Sequence, residues 1–296
     1  MDSRRVGVLG ATSLVGICLQ QLLPENGWRV TAFSRKPVTS NADTVQITWR
    51  QLAPASVPEP SAPYSADEKI SLWICAAPIW ILPEHFKLLS GYGIKRIVIL
   101  SSTSSITKQT STDVKEQKIV QQLIEGENRV TTWAAANQIE WIILRSTLIY
   151  GLGRDKNISE IIRFIRRFGF FPLIGKAAGL RQPVHAGDVA AACMHSLQTL
   201  NLRNCTYNLT GGETLSYREM VRRIFLALDR KPRLVNLPFW LFHYAVIAAR
   251  CLPRYRQWNS SMAARMNQDM VFDSSALWRQ LGISARPFTL SREDLR

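Results

Sequence analysis

The sequence predicts an α/β fold, a doubly wound parallel sheet followed by a smaller, mostly helical lobe. Three observations predict it. Short apolar runs alternate with helical patterns through the first 150 residues; the first run breaks at a glycine that opens directly into a helix; and beyond Gly151 the rhythm changes to helices separated by Gly- and Pro-rich loops. At 296 residues and 46% hydrophobic content the chain suits one large domain or a domain with an appendage, which excludes a disordered or fibrous protein.

Taken in order, Arg5 to Leu9 is a first strand ending at Gly10. The helix that follows carries Leu14, Val15, Cys18, Leu19, Leu22 and Leu23 on one face and closes at Asn26-Gly27, and Arg29 to Phe33 is a second strand. Strand, tight turn, helix and strand within about 30 residues is a βαβ unit, whose crossover implies parallel pairing. Further strands are expected at Val45 to Trp49, Ile70 to Ala76, Arg96 to Leu100 and Trp141 to Leu144, with helices near 80–90 and 113–137. Prolines between Leu52 and Glu68 forbid regular structure and mark a loop. The division expected is 1–150 for the sheet domain and 151–296 for the smaller lobe, part of which can return to the sheet. In that second half Cys205 to Leu209 and Met270 to Phe272 are strand-like, and Asp188 is placed to cap a helix over 189–198.

The formal charge is +15, and it is uneven: +3 over residues 1–150 and +12 over 151–296. Charge speaks to partners rather than fold. The arginines are dispersed and no nucleic-acid module surrounds them, so no nucleic-acid role is predicted. Five cysteines, scattered without a C-x-x-C pair, read as reduced thiols, and no apolar leader precedes the first strand; both point to the cytoplasm. Four histidines without paired spacing make no metal site.

The segment Gly10-Ala11-Thr12-Ser13-Leu14-Val15-Gly16 stands where a dinucleotide-binding turn must stand, so the sheet is expected to be Rossmann-type. Gly10 permits the tight turn, Gly16 lets the helix approach the sheet, and the free N–H groups of the helix start attract a pyrophosphate. Ser13 replaces the usual middle glycine and offers a hydroxyl. It lacks the flanking glycines of a nucleophile elbow. The second strand runs into Ser34, Arg35 and Lys36 where an NAD-selective site carries an acid, which favours NADP, with NAD the alternative. The competing reading of the two cations is a solvated loop.

Two further stretches stand out. Ile158, Ile161, Ile162, Ile165 and Phe168 form an apolar helix face opposite Arg163, Arg166 and Arg167, packed on the lobe or turned to a membrane or partner. Residues 238–249 are apolar nearly all round, with Phe239, Trp240, Phe242 and Tyr244, and are flanked by basic residues. They are too short to span a bilayer, which needs about 20 residues, so three readings stay open: a buried helix, a lid over an apolar substrate, or an interfacial helix in peripheral membrane contact. The lid reading suits a substrate with an anionic head and an apolar tail.

With these residues in hand, the chain resembles the extended and atypical branch of the short-chain dehydrogenase/reductase superfamily, the NAD-dependent epimerase/dehydratase-like proteins. The resemblance rests on the glycine turn, Cys75-Ala76-Ala77, Ile97-Val98-Ile99-Leu100-Ser101-Ser102-Thr103, and Leu144-Arg145-Ser146-Thr147-Leu148-Ile149-Tyr150-Gly151. Pro183 to Ala190 and Tyr207 to Glu219 look like the family's later signatures. It implies a small-molecule substrate between the lobes, cofactor contacts at Ala76, Ala77, Ser101, Ser102 and Ser146, and a catalytic hydroxyl at Thr103. It also implies a Tyr-x-x-x-Lys pair on the helix after Thr103, one turn apart so that the lysine lowers the phenol pKa. The chain departs here. No tyrosine lies between Tyr92 and Tyr150, and counting back from Glu127 gives Leu123 and Ile119. Three readings remain: an unusual acid such as Lys115, Lys118 or Tyr150, a substrate needing no strong acid, or a protein that binds NADP without turning it over.

Overall fold

The computed structural model describes residues 4–35, 43–52, 68–109, 111, 113–238 and 265–296. The sheet unit begins with β1 (Arg4–Leu9), α1 (Leu14–Glu25), β2 (Trp28–Ser34), β3 (Ile47–Gln51) and β4 (Leu72–Cys75). A 3-10 helix (Ile79–His85), α2 (Phe86–Gly91), β5 (Arg96–Ser102), α3 (Ser104–Thr107), α4 (Val114–Ala136) and β6 (Glu140–Ser146) follow. Beyond it come β7 (Ile149–Tyr150), α5 (Ile158–Phe168), β8 (Phe171–Ile174), β9 (Leu180–Arg181), β10 (Val184–His185) and α6 (Ala186–Gln198). The last described elements are β11 (Cys205–Leu209), β12 (Leu215–Ser216), α7 (Tyr217–Ala227), β13 (Leu234–Leu237) and α8 (Ser275–Leu281).

Seven parallel strands form the central sheet in the order β3-β2-β1-β4-β5-β6-β11. This is a Rossmann-type doubly wound α/β fold. The strand-like Cys205 to Leu209 returns to it, Leu209 opposite Ser146. Because β1 lies between β2 and β4, the chain reverses its direction of travel across the sheet there, and a crevice opens at the carboxyl ends of β1 and β4. The central strands read as continuous apolar runs because both faces are covered. Leu19 and Leu23 of α1 meet Val189 and Cys193 of α6 on one face, while Ile79, Leu82, Leu123 and Val130 cover the other. A third apolar cluster joins α5, α7 and β8 around Ile162, Ile165, Ile224 and Phe225, with Tyr150 and Phe288 packed in.

Several boundaries differ from the sequence reading for local reasons. β3 starts two residues late, because the Asp43 and Thr44 side chains accept the N–H groups of Trp49 and Ile47, leaving Val45 in a turn and 99% exposed. The first half of the 80–90 stretch is a 3-10 helix containing Pro83, which has no N–H to give. Met270 to Phe272 makes no strand; Met270 N–H donates to the Leu180 carbonyl and Phe272 N–H to the Gln182 side chain, so the segment borders β9 without a ladder. α6 starts at Ala186, capped by His185, whose Nδ1 accepts from Gly187 N–H at 3.0 Å. Asp188 instead takes the Arg286 backbone N–H and Nε at 2.9 and 2.8 Å, joining the helix to the C-terminal segment. Phe168, expected on the packed face of α5, is 43% exposed, because the left-handed Gly169 cap turns the chain away beneath it.

Asp294 ties the C-terminal segment to the rest. Its carboxylate accepts from Leu152 N–H, from the Ser291 N–H and hydroxyl, and from His185 Nε2 at 3.2 Å, which requires the neutral His185 tautomer with its proton on Nε2. Burial alone raises this carboxyl's pKa, but the His185 ring and the Ser291 and Leu152 donors outweigh it and hold it well below the usual carboxylate range. A depressed pKa stabilises the fold above the unfolded value of about 4, and that stability is lost as pH falls through the folded value. Urea titrations are therefore expected to show that Asp294→Asn removes up to about one proton of the acid-side slope and costs about 2 kcal/mol at pH 7. An unchanged slope below pH 4 contradicts the assignment.

Candidate functional site

At the end of β1, Gly10 adopts φ +76°, and a Cβ there meets Ala77 N at 2.5 Å, so only glycine lets the two strand ends approach this closely. Gly16 is as tightly placed, with a Cβ 2.3 Å from the Gly10 carbonyl oxygen. Ser13 caps α1: its backbone N–H donates to Gly10 O at 2.9 Å and its Oγ accepts from Gly16 N–H at 3.0 Å. The hydroxyl proton of Ser13 thus stays available, and with Gly16 N–H taken by Ser13 Oγ and Ile17 N–H by Ser13 O, the Leu14 and Val15 N–H groups at the start of α1 have no acceptor among the described residues. Ala11 and Val15 turn their side chains into the core, leaving only backbone for a ligand, while Thr12 is exposed and Leu14 half-buried.

Between the ends of β1, β2 and β4 lies a cleft of about 240 Å³, lined by Gly10, Thr12, Ser13, Ser34, Arg35 and Ala77. Its apolar wall is Phe33, Leu52, Ile81 and Leu82, and His85 closes it. Burial holds the His85 ring below the usual imidazole pKa, so it is neutral at pH 7. The sequence reading missed Ile81, Leu82 and His85, which lie on a stretch read as plain helix; the proline at 83 was the available signal. Arg35 is exposed at the cleft edge. Lys36 lies outside the described residues, as do 239–249, which hold the aromatic stretch.

The other predicted residues gather at the carboxyl ends of β5 and β6. Thr103 is buried, and its Oγ1 donates to Ser146 O at 3.2 Å; Ser146 Oγ donates to Ser101 O at 3.1 Å. Ser101 Oγ donates to Glu127 Oε1 at 2.6 Å, Ser102 Oγ accepts from Ser104 N–H, and Ala76 is half-buried beside the turn. Glu127, itself buried, also binds Arg145 through Nε at 3.0 Å and through Nη2. On α4, Leu123 is buried and Ile119 is 36% exposed.

Of the alternative acids, Lys115 and Lys118 stand on the solvent face of α4. Tyr150 is fully buried, donates to Thr289 O at 3.0 Å, and is pushed up to about 12, chiefly by burial. None of the three is poised for proton transfer. The structure shows instead a trio the sequence reading overlooked: Lys108 Nζ lies 3.3 Å from Glu116 Oε1, the Arg265 guanidinium binds the same oxygen, and Ser111 donates to Oε2 at 2.7 Å. Arg265 is 149 residues from Glu116, so no local pattern could reveal the trio. Burial, reinforced by Arg265, holds Lys108 below the usual lysine range. Among the described residues no group of three or more His, Cys, Asp or Glu could hold a metal, and no helix is long and apolar enough to cross a membrane.

Comparison with known proteins agrees with this architecture. The model of the NAD dependent epimerase/dehydratase family matches residues 86–210. "Epimerase family protein SDR39U1" of Bos taurus is 24% identical over 79% of this chain and 83% of its own length. The "NADH dehydrogenase [ubiquinone] 1 alpha subcomplex subunit 9, mitochondrial" of Arabidopsis thaliana is 32% identical over 34% of this chain, which spans a quarter of that relative's length. The solved structure "MoeE5 in complex with UDP-glucose and NAD" superposes with a TM-score of 0.65 at 20% identity, over 98% of this chain and 96% of that one. By its sheet, its glycine turn and these matches, the chain is similar to the NAD-dependent epimerase/dehydratase-like proteins of the extended short-chain dehydrogenase/reductase superfamily.

Proposed function

We propose that the protein binds a nicotinamide dinucleotide in the cleft at the β1/β4 crevice, prefers NADP over NAD, and acts as an oxidoreductase-like protein on a small molecule. The observation that carries the reading is Arg35 at the edge of a cleft whose second strand ends without an acid. The residues fit the group. The α1 N-terminus and the Ser13 hydroxyl suit the pyrophosphate, the apolar wall suits adenine, and Arg35 and Ser34 suit a 2′-phosphate, with Lys36 adding charge. At the far end, Ala76, Ala77, Ser101, Ser102 and Ser146 would border the nicotinamide half.

The bound cofactor supplies hydride exchange. Thr103, with its proton on the Ser146 carbonyl, would present lone pairs to a substrate hydroxyl rather than a proton to a carbonyl. The Tyr-x-x-x-Lys pair is replaced by apolar Ile119 and Leu123, so proton transfer would fall to another group. Lys108, partly desolvated and following Thr103 in chain order, is the candidate, and an anionic head on the substrate would suit Lys108 and Arg265. Free thiols at Cys18, Cys75, Cys193 and Cys205 support a reducing compartment, the cytoplasm.

Fluorescence titration tests the preference: NADPH should bind more tightly than NADH, and Arg35→Ala should weaken NADPH alone by about 1.5 to 3 kcal/mol. Equal affinity for the two cofactors in the unmodified protein sinks the reading. A second reading, a non-catalytic NADP-binding or assembly protein, is favoured by the pinned Ser101, Thr103 and Ser146 hydroxyls and by the apolar pair on α4. Oxidation of bound NADPH by any of a panel of carbonyl, nucleotide-sugar and isoprenoid compounds decides between the two.

A further inference from the structure

The C-terminal end of α5 carries an exposed aromatic cluster that the proposed function does not use. Phe168 and Phe170 are 43% and 36% exposed, and both rings lean on Phe164, at 4.6 and 5.7 Å between centroids. Cations surround them. Arg166 and Arg167 are exposed, the Arg167 guanidinium lying 5.3 Å over the Phe168 ring. A second basic run, Arg230, Lys231 and Arg233, is fastened alongside: Arg230 donates to Ile165 O at 2.9 Å, and Arg233 O accepts from Phe171 N–H at 2.9 Å. Arg166, Arg167, Lys231 and Arg233 have no carboxylate partner among the described residues. Cations at a helix C-terminus complement its dipole, but that leaves two solvent-facing phenyl rings among them unexplained.

We propose that this corner, Phe168 and Phe170 within the basic rim of Arg166, Arg167, Lys231 and Arg233, docks on an anionic lipid bilayer surface. Charge complementarity and the exposed rings select that occupant together. Phenyl rings enter the headgroup boundary without needing a shaped pocket or a hydrogen-bond partner, while guanidinium and ammonium groups stay at the level of the lipid phosphates. Each basic residue near such a surface raises the partition about fivefold.

Co-sedimentation of the full chain with phosphatidylcholine vesicles, with and without phosphatidylglycerol, tests the proposal. The expected result is binding to the anionic vesicles alone, weakened by salt. Phe168→Ser/Phe170→Ser should lower the partition by about tenfold or more, and Arg166→Gln/Arg167→Gln by about twenty-fold. All four side chains are at the surface, so the variants should keep the thermal midpoint, and the arginine pair serves should the aromatic pair fail to fold. Three results overturn the proposal: no binding to anionic vesicles, equal binding to neutral ones, or binding that neither double variant changes. Retention on polyglutamate without any vesicle binding also overturns it, and assigns the basic rim to an acidic protein.

Discussion

Gly10→Ala is expected to abolish dinucleotide binding and to destabilise the fold by about 2 to 4 kcal/mol. Two effects add. The residue holds φ +76°, where a Cβ is strained, and that Cβ lands 2.5 Å from Ala77 N, a backbone atom of the neighbouring strand end that has no side-chain freedom with which to yield. Separating β1 from β4 widens the crevice at the place where the α1 N-terminus must present its N–H groups. Gly27 is the control, since it has φ +79° and nothing within 4 Å. Gly27→Ala should therefore cost only about 1 kcal/mol and leave NADPH binding intact. Urea denaturation and NADPH fluorescence titration read both quantities, and equal behaviour of the two variants would refute the packing argument.

Glu127→Leu is expected to cost about 3 to 5 kcal/mol. The carboxylate is 6% exposed and holds both Ser101 and Arg145, so leucine leaves the buried Ser101 hydroxyl without its acceptor and the half-buried Arg145 guanidinium without its carboxylate. Glu127→Gln keeps a carbonyl oxygen for Ser101 and should cost less. The double variant Glu127→Leu/Arg145→Met, which removes the stranded cation as well, should recover more than half of the loss. Urea midpoints measure all three; a single-variant cost under about 1 kcal/mol would show that the pair is solvated and that Ser101 is held some other way. Because Ser101, Thr103 and Ser146 are chained through carbonyls at the ends of β5 and β6, the same variant should loosen the region where Thr103 lies.

The parts of the molecule legible in the sequence are those governed by short-range pattern. The apolar runs gave six of the sheet strands to within about two residues at most ends, since a strand buried on both faces must be apolar throughout. The glycine turn was legible because its constraint is local: a positive φ, a close approach and a helix N-terminus all fall within seven residues. Ser34 and Arg35 followed from their place at the end of β2, which strand length alone decides. The Asp188 cap shows where such local reading stops, since Asp188 had a better partner in Arg286, 98 residues away, and left the cap to His185.

The sequence by itself determined the parallel sheet, the dinucleotide-type turn, the absence of tyrosine between Tyr92 and Tyr150, and the basic surplus of the second half. Only the tertiary structure decided that Cys205–Leu209 is the seventh strand, that Tyr150 is locked to Thr289, that Lys108 and Arg265 share one carboxylate oxygen, and that Phe168 faces solvent. The reason is the range of the forces involved. Backbone geometry and side-chain periodicity act over one turn or one strand and leave a mark in adjacent letters. An ion pair or a buried hydroxyl takes whichever partner the packed layers bring within about 3 Å, and that choice is made by the fold as a whole.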